Sequence, residues 1–291
     1  MATIRNPLEW GWLQLKAAGH HLGLVQEAVS GHEQVPREAL PVARISPATL
    51  KAVLKKGLED FGAARSDIIF ICLIYPLAGL LLVRLTFHEG LLPLLFPILS
   101  GFTLLGPVAA VGLDKMSRRR ELGQPVSWSR AFSVLGAPAF GAIFAFGILL
   151  LAIFLVWLTA AQLVYLATLG PEPPASIGSF IDATIGTPEG WAMIVIGGGV
   201  GFVFAALVLV ISVVSVPLML DRDVGIKIAV LTSVRAARKN PVTIALWGLI
   251  VSVSLVLGSL PALLGLIFAM PVLGHATWHL YRALVPHGDA P

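Results

Sequence analysis

The sequence has little charge and almost no cysteine. Only 12% of its 291 residues are charged, where a soluble domain carries about a quarter. Hydrophobic residues make up 57% and the mean hydropathy is +0.88. A soluble fold would have to hide many long apolar stretches in one core, so lipid is the better solvent. Cys72 is the sole cysteine and sits in an apolar run, which excludes an intrachain disulfide and the CxxCH haem-attachment pattern. Hydrolytic and nucleotide-binding signatures are missing too. "HEG" (88–90) starts like HExxH but has no second histidine. There is no GxSxG elbow, no P-loop and no GxGxxG, and "GGGVG" (197–201) lies inside an apolar span. Charge deep inside the spans, the usual mark of pumps and proton relays, is also scarce. Asp114, Lys115, Asp221, Arg222 and Asp223 fall at span ends, and the spans themselves hold neutral polar groups such as Gln162, Ser252 and Ser254. This argues against a charge-driven pump or proton-coupled carrier, while a path for an apolar molecule stays open.

What is present is apolar length. A helix needs about 20 apolar residues to cross the hydrocarbon core. Six segments qualify: roughly 67–87, 91–113, 139–166, 191–219, 242–259 and 261–281. The expected fold is therefore all-α and polytopic, with six transmembrane helices. "FHEG" (87–90) and "GSLP" (258–261) are short enough to make hairpins of the first and last pairs. "MATIRNPLEWGWLQLK" lacks an apolar h-region and a small-residue cleavage site, so the first span is expected to serve as an uncleaved insertion signal.

Lysine and arginine orient the spans. Nineteen of the 20 fall before span 1, between spans 2 and 3, between spans 4 and 5, or after span 6. The other is Arg84, and the 170–190 connection carries only Glu172, Asp182 and Glu189. Both termini are expected to be cytoplasmic, in a multi-pass membrane protein. The net charge of +4 and pI near 9.5 then reflect topology and contact with anionic lipid headgroups rather than nucleic acid.

Three cytoplasmic stretches have helical apolar periodicity. In "SPATLKAVLKKGLEDFGAARS" (46–66), Ser46 and Pro47 suit a helix start, and Leu50, Val53, Leu54, Leu58 and Phe61 share a face. "SWSRAFSVLGAP" (127–138) repeats the pattern with Trp128, Ala131, Phe132 and Leu135. "DVGIKIAVLTSVRAARKNP" (223–241) places Val224, Ile228 and Leu231 together. Spans 2, 4 and 6 each carry a proline near the cytoplasmic end: Pro107, Pro217 and Pro271. The pattern suggests three units of interfacial helix plus two spans, related by an axis along the membrane normal. Residues 1–45 form an N-terminal cytoplasmic segment, with a possible surface helix over 6–28 and the adjacent His20 and His21; 46–285 form the transmembrane domain and 286–291 a tail. Gly197 and Gly201 make a GxxxG pair suited to close helix packing.

The chemically richest motif is "HATWHLYR" (275–282) at the end of the sixth span. His275 and His279 lie one turn apart on one face. They are the candidate metal ligands, sharing an ion or each serving a cofactor, although two such histidines cannot bind both faces of one haem. His88 belongs at the opposite membrane face, whereas Asp114, Asp221 or Asp223 could approach to complete a site. In the simpler reading, Trp278, Tyr281 and Arg282 are interface anchors and His279 sits among headgroups. His275 lies one turn deeper than an anchor needs.

"RISPATLKAVLKKGLEDFGAARSD", "LLGPVAAVGLDKMSRRRELGQPVSW", "VSVPLMLDRDVG" and "PVLGHATWHLYR" resemble a bacterial family of predicted integral membrane proteins catalogued as a domain of unknown function, over roughly 44–285. A weaker similarity of layout exists to the membrane domain attached to some glycerophosphodiester phosphodiesterases, whose catalytic domain is absent here. The resemblance implies an inner-membrane protein and supplies no activity. The leading expectation is a non-enzymatic accessory, scaffold or assembly protein without a required cofactor, partnered by membrane lipids and other membrane subunits. The alternatives are a carrier of an apolar or lipid-like molecule, with the three prolines bending helices around a path, and a metal or haem protein using His275 and His279.

Overall fold

The computed structural model describes residues 40–63, 73–88, 91–102, 106–124 and 139–286. Every regular element among them is a helix. In chain order these are α1 (Thr49–Ala63), α2 (Ile74–His88), a 3-10 turn (Leu92–Leu94) entering α3 (Leu95–Phe102), the one-turn α4 (Gly106–Ala109) and α5 (Val111–Glu121). There follow α6 (Phe140–Thr168), α7 (Ile177–Gly186), α8 (Pro188–Ser212), α9 (Ser215–Arg222), α10 (Ile226–Lys239), α11 (Pro241–Ser259) and α12 (Leu266–Leu284). The expected helix over 127–138, the 6–28 surface helix, His20, His21 and Cys72 lie outside the described residues, as does the side chain of His88.

Among the described residues three segments are long and apolar enough to cross a bilayer: α6, the α8–α9 run Pro188–Arg222, and α11. At 1.5 Å per residue the 29 residues of α6 reach about 43 Å, beyond a hydrocarbon core of about 30 Å. The helix therefore tilts or projects. The other expected spans look different. The described part of the first is the 15-residue α2. The described parts of the second are the 3-10 turn, α3 and α4, followed by α5. The sixth starts at Leu266 rather than 261, because 260–265 form a turn in which Ala262 and Leu263 take φ of 51° and 67°. The fourth breaks at Val213–Val214, four residues before Pro217. A proline ring collides with the carbonyl four positions back and supplies no N–H. The hydroxyls of Ser212 and Ser215 donate to the carbonyls of Val208 and Ile211, at 2.6 and 2.5 Å, and serve the backbone around the break. Pro271, by contrast, lies inside a continuous α12.

The 170–190 connection is not a plain loop. Ser176 and Ser179 exchange side-chain and backbone hydrogen bonds in a capping box that starts α7. The Thr187 hydroxyl accepts from the Gly190 N–H, with Pro188 in the first turn, and so starts α8.

One buried core joins α1, α9, α10 and the C-terminal half of α12, around Leu50, Val216, Met219, Ala236, Ala276 and Leu284, to the apolar helices α6, α8 and α11, which add Phe146, Leu150, Val208 and Trp247. The lead-in to α1 is strapped into this layer. Ala43 N–H donates to the Leu284 carbonyl at 2.8 Å. The Asn240 side chain accepts from Ile45 N–H and donates to the Ala43 carbonyl.

The predicted helices over 46–66 and 223–241 are present, and most of their predicted faces are covered: Leu50, Val53, Val224 and Ile228 are buried and Leu54 and Phe61 half-buried. Leu58 and Leu231 differ, being 58% and 48% exposed. The buried face of α1 is Leu50, Val53, Gly57 and Asp60, and that of α10 is Ile228, Ala229, Thr232, Ser233, Ala236 and Ala237. Each face turns toward small residues because a neighbouring helix must come close. At Gly57 the approach is limiting: a Cβ there would stand 2.8 Å from both the Cβ of Ala276 and the carbonyl oxygen of Val272 on α12. The GxxxG pair also packs within the chain, since a Cβ on Gly201 would lie 3.0 Å from the Trp157 ring of α6.

Gly57→Ala sets two effects in opposition. Alanine gains about 1 kcal/mol of helix propensity over glycine. Overpacking against backbone costs about 1–3 kcal/mol, and a carbonyl cannot rotate away as a flexible side chain can. The expected result is net destabilisation by about 1 kcal/mol, measured as a lower unfolding midpoint of the detergent-solubilised protein; Gly62→Ala, with open space around the site, should instead be neutral or stabilising.

Candidate functional site

The chain's polar chemistry converges on α12. α1 and α5 pack along it and α9 touches its lower end. The amphipathic period of α1 puts Asp60 on the same face as Leu50, Val53 and Gly57, so the carboxylate points into the layer. α5 supplies "SRRRE" (117–121). α12 supplies "HATWHLYR".

Asp60 is the centre. Its Oδ1 accepts from Arg120 at 2.6 Å. Its Oδ2 accepts from the Ser117 hydroxyl at 2.5 Å and from His279 Nε2 at 2.9 Å. Ser117 Oγ also lies 2.7 Å from His275 Nδ1. A hydroxyl has one hydrogen. Ser117 gives it to the carboxylate, which is acceptor-only when ionised, so His275 Nδ1 must be the donor to Ser117. The relay therefore runs from His275 Nδ1–H to Ser117 to Asp60, with His279 Nε2–H arriving from the other side. This assigns the tautomer of a neutral His275: its Nε2 holds a lone pair. That atom is buried without a hydrogen-bond partner among the described residues.

Burial pushes the Asp60 carboxyl upward, but hydrogen bonds from His279 and Ser117, and the nearby histidine charges, more than offset it. The net direction is below the usual carboxylate value of 3.8. Asp114, one turn before Ser117 on α5, is 1% exposed, and its Oδ1 has no partner among the described residues.

Two further carboxylates repeat the arrangement. Glu121 accepts from Trp278 Nε1 and from Arg282 Nε, both at 2.9 Å. Asp221, four residues after Pro217, accepts from Arg118 Nε at 2.9 Å and from the Tyr281 hydroxyl at 2.7 Å. Thus His275, Trp278, His279, Tyr281 and Arg282 each bond a side chain from α1, α5 or α9. The expectation that Trp278 and Tyr281 anchor the chain at the headgroup level is overturned, while Arg282 stays partly exposed beside Glu121. Trp278 and Tyr281 are buried and their polar tips are taken by Glu121 and Asp221. His279 likewise faces Asp60 rather than headgroups.

His275 and His279 do lie together, linked through Ser117 and Asp60. Among the described residues no group of three or more histidine, cysteine, aspartate or glutamate side chains is arranged to hold a metal ion. Of the carboxylates expected to approach them, Asp221 pairs elsewhere. The one that arrives, Asp60, is an acid on the apolar face of an amphipathic helix. Its seven-residue spacing from Val53 could have revealed it.

Asp60→Asn removes the charge that Arg120 and His279 share and puts an amide N–H₂ where an acceptor stood. The expected cost at neutral pH is about 3 kcal/mol, the scale for breaking a buried pair by altering one partner. The pH dependence has a definite sign. With its folded value lowered, Asp60 contributes stability that is complete above the unfolded value of 3.8 and is lost as pH falls through the lower folded value. Unfolding of both proteins as a function of pH should therefore show a gap that is full near neutrality and closes below pH 3.8.

Comparison with known proteins agrees with this membrane-helical picture. No curated protein and no solved structure matches the chain. Residues 95–221, which run from α3 through Asp221 of α9, match the family model described as "Predicted integral membrane protein (DUF2189)". The matched segment holds α5 and its four site residues Ser117, Arg118, Arg120 and Glu121, but not α1 or α12, so the wider resemblance over 44–285 narrows to this central part. Over that part the chain is similar to a family of membrane-integral proteins whose function is unknown.

Proposed function

We propose that this is a non-enzymatic accessory, scaffold or assembly protein of a bacterial inner membrane, with six crossings, three related units and both termini cytoplasmic. The observation that supports it is the disposition of "HATWHLYR". Every side chain there with versatile chemistry is engaged by another helix, so the motif clamps a cytoplasmic layer onto the spans. A protein whose polar groups hold its own helices in place is suited to presenting a fixed surface to a partner. The six-crossing reading adds α2, the α3–α5 region and α12 to the three long apolar segments. The charge asymmetry of the connections supports its orientation.

A second reading keeps His275 and His279 as metal or haem ligands. The specific feature in its favour is the buried lone pair on His275 Nε2. A ligand there would also need its remaining donors from outside the His275–Ser117–Asp60 relay.

Crosslinking in native membranes followed by purification tests the first reading. A membrane subunit recovered at fixed stoichiometry, and lost when the cytoplasmic layer is loosened by Asp60→Asn, is the expected outcome; a chain that isolates alone after crosslinking overturns it. Elemental analysis and an absorption spectrum of the same preparation test the second. Bound metal or a Soret band that disappears in His275→Ala is required, and a metal-free, colourless protein from cells grown with metal and haem removes that reading.

A further inference from the structure

We infer that the exposed face of α10 is a binding site for the headgroups of acidic phospholipids. Lys227, Leu231, Arg235 and Arg238 are all exposed. Their spacing of four, four and three residues puts them on one stripe of the helix. The helix contains no acidic residue. Arg235 spends one N–H on Thr232, which leaves the rest of its guanidinium fork outward. Lys239 belongs to the strap, donating to the Val42 carbonyl at 2.6 Å, and is not counted in the site.

The depth of the helix follows from its attachments. On its buried side, the Ser233 hydroxyl donates to the Val210 carbonyl of α8 at 2.7 Å, so α10 lies across the last turn of that apolar helix. On its C-terminal side, α11 begins at Pro241. The 19 residues of α11 span about 28 Å, barely the thickness of the hydrocarbon core. If α11 crosses, it must start at the boundary, and Val242 is already 64% exposed in the manner of a lipid-facing residue. Arg238 is three residues before this point. The stripe is thus held at headgroup level by packing on one side and by chain connection on the other. Leu231, an exposed leucine between two cations, is the residue that would reach below the phosphates, as in membrane-surface helices.

Arginine and lysine near an anionic leaflet each favour acidic over neutral lipid by about five-fold. Competition between phosphatidylglycerol and phosphatidylcholine for the purified full-length protein, counted by native mass spectrometry from mixed micelles, measures this. The parent should prefer phosphatidylglycerol, less so as salt is raised. The triple variant Lys227→Gln, Arg235→Gln, Arg238→Gln should lose the preference by about five-fold per charge. The charge-keeping variant Lys227→Arg, Arg235→Lys, Arg238→Lys should retain most of it, and a failure to do so counts against the site. Lys51→Gln, Lys55→Gln, Lys56→Gln on α1 removes the same net charge elsewhere and should leave the preference in place. Equal loss from the α1 and α10 glutamine variants, or no loss from the α10 variant, overturns the assignment. The outcome is independent of whether a protein partner exists.

Discussion

The structure depends on one buried carboxylate. Asp60 collects a guanidinium, a hydroxyl and an imidazole from two other helices. A carboxylate out of water is costly unless its lone pairs are filled. Here both oxygens are filled, and filling them fixes the relation of α1 to α5 and α12 at once. Gly57 makes this possible. Without a side chain at that position, α1 comes near enough to α12 for Asp60, three residues on, to reach His279. The close approach and the polar hub are a single constraint, divided between a residue that is absent in bulk and one that is present in charge.

Glu121 and Asp221 show why the arrangement encloses α12. Residues 275, 278, 279, 281 and 282 point to several sides of a helix, since successive positions turn by about 100°. A helix with polar groups on several sides is stable in a water-poor layer only if it has neighbours on those sides. α1, α5 and α9 are those neighbours, and each brings an acid. The aromatic residues fit the same scheme: Trp278 and Tyr281 are buried bodies with one polar tip, and each tip meets a carboxylate. Residues that mark a membrane interface when they face outward thus become internal ties when another helix covers them.

This explains what was legible in the sequence. Long apolar runs and amphipathic periodicity are local properties, so α6, α8, α11, α1 and α10 could be anticipated near their observed positions. The proline break in the fourth span was also local, as Pro217 acts on the carbonyl four residues behind it. What escaped was the extent of each face. Leu58 and Leu231 looked like core because they are leucines, yet they lie at the edge of faces whose small residues let a neighbour approach closely. Asp60 escaped because its meaning lies in Ser117 and His279, far away in sequence. The relation between His275 and His279 was legible as a shared face, but the partners on that face belong to other helices. The helix α7 was missed because its signal was a serine capping box inside a segment read as a polar loop.

The remaining question is why a lipid-dissolved protein needs such a layer at all. Its long spans are apolar all round, and in lipid there is little hydrophobic penalty for rotating such a helix about its axis. Packing alone therefore specifies their orientation weakly. The polar ties are different, because they are satisfied in only one register. Turning α12 by one residue would swing its donors about 100° away and leave Asp60, Glu121 and Asp221 against apolar side chains. Each stranded group would cost about 1–3 kcal/mol or more. The layer thus supplies the register that the spans do not. α12 runs from its apolar N-terminal half into that layer as a single helix, so a register set at its polar end is imposed on its apolar end as well. It reaches α11 through the close backbone contact of Gly258 with Gly265, and α8 through the chain of α9 and α10.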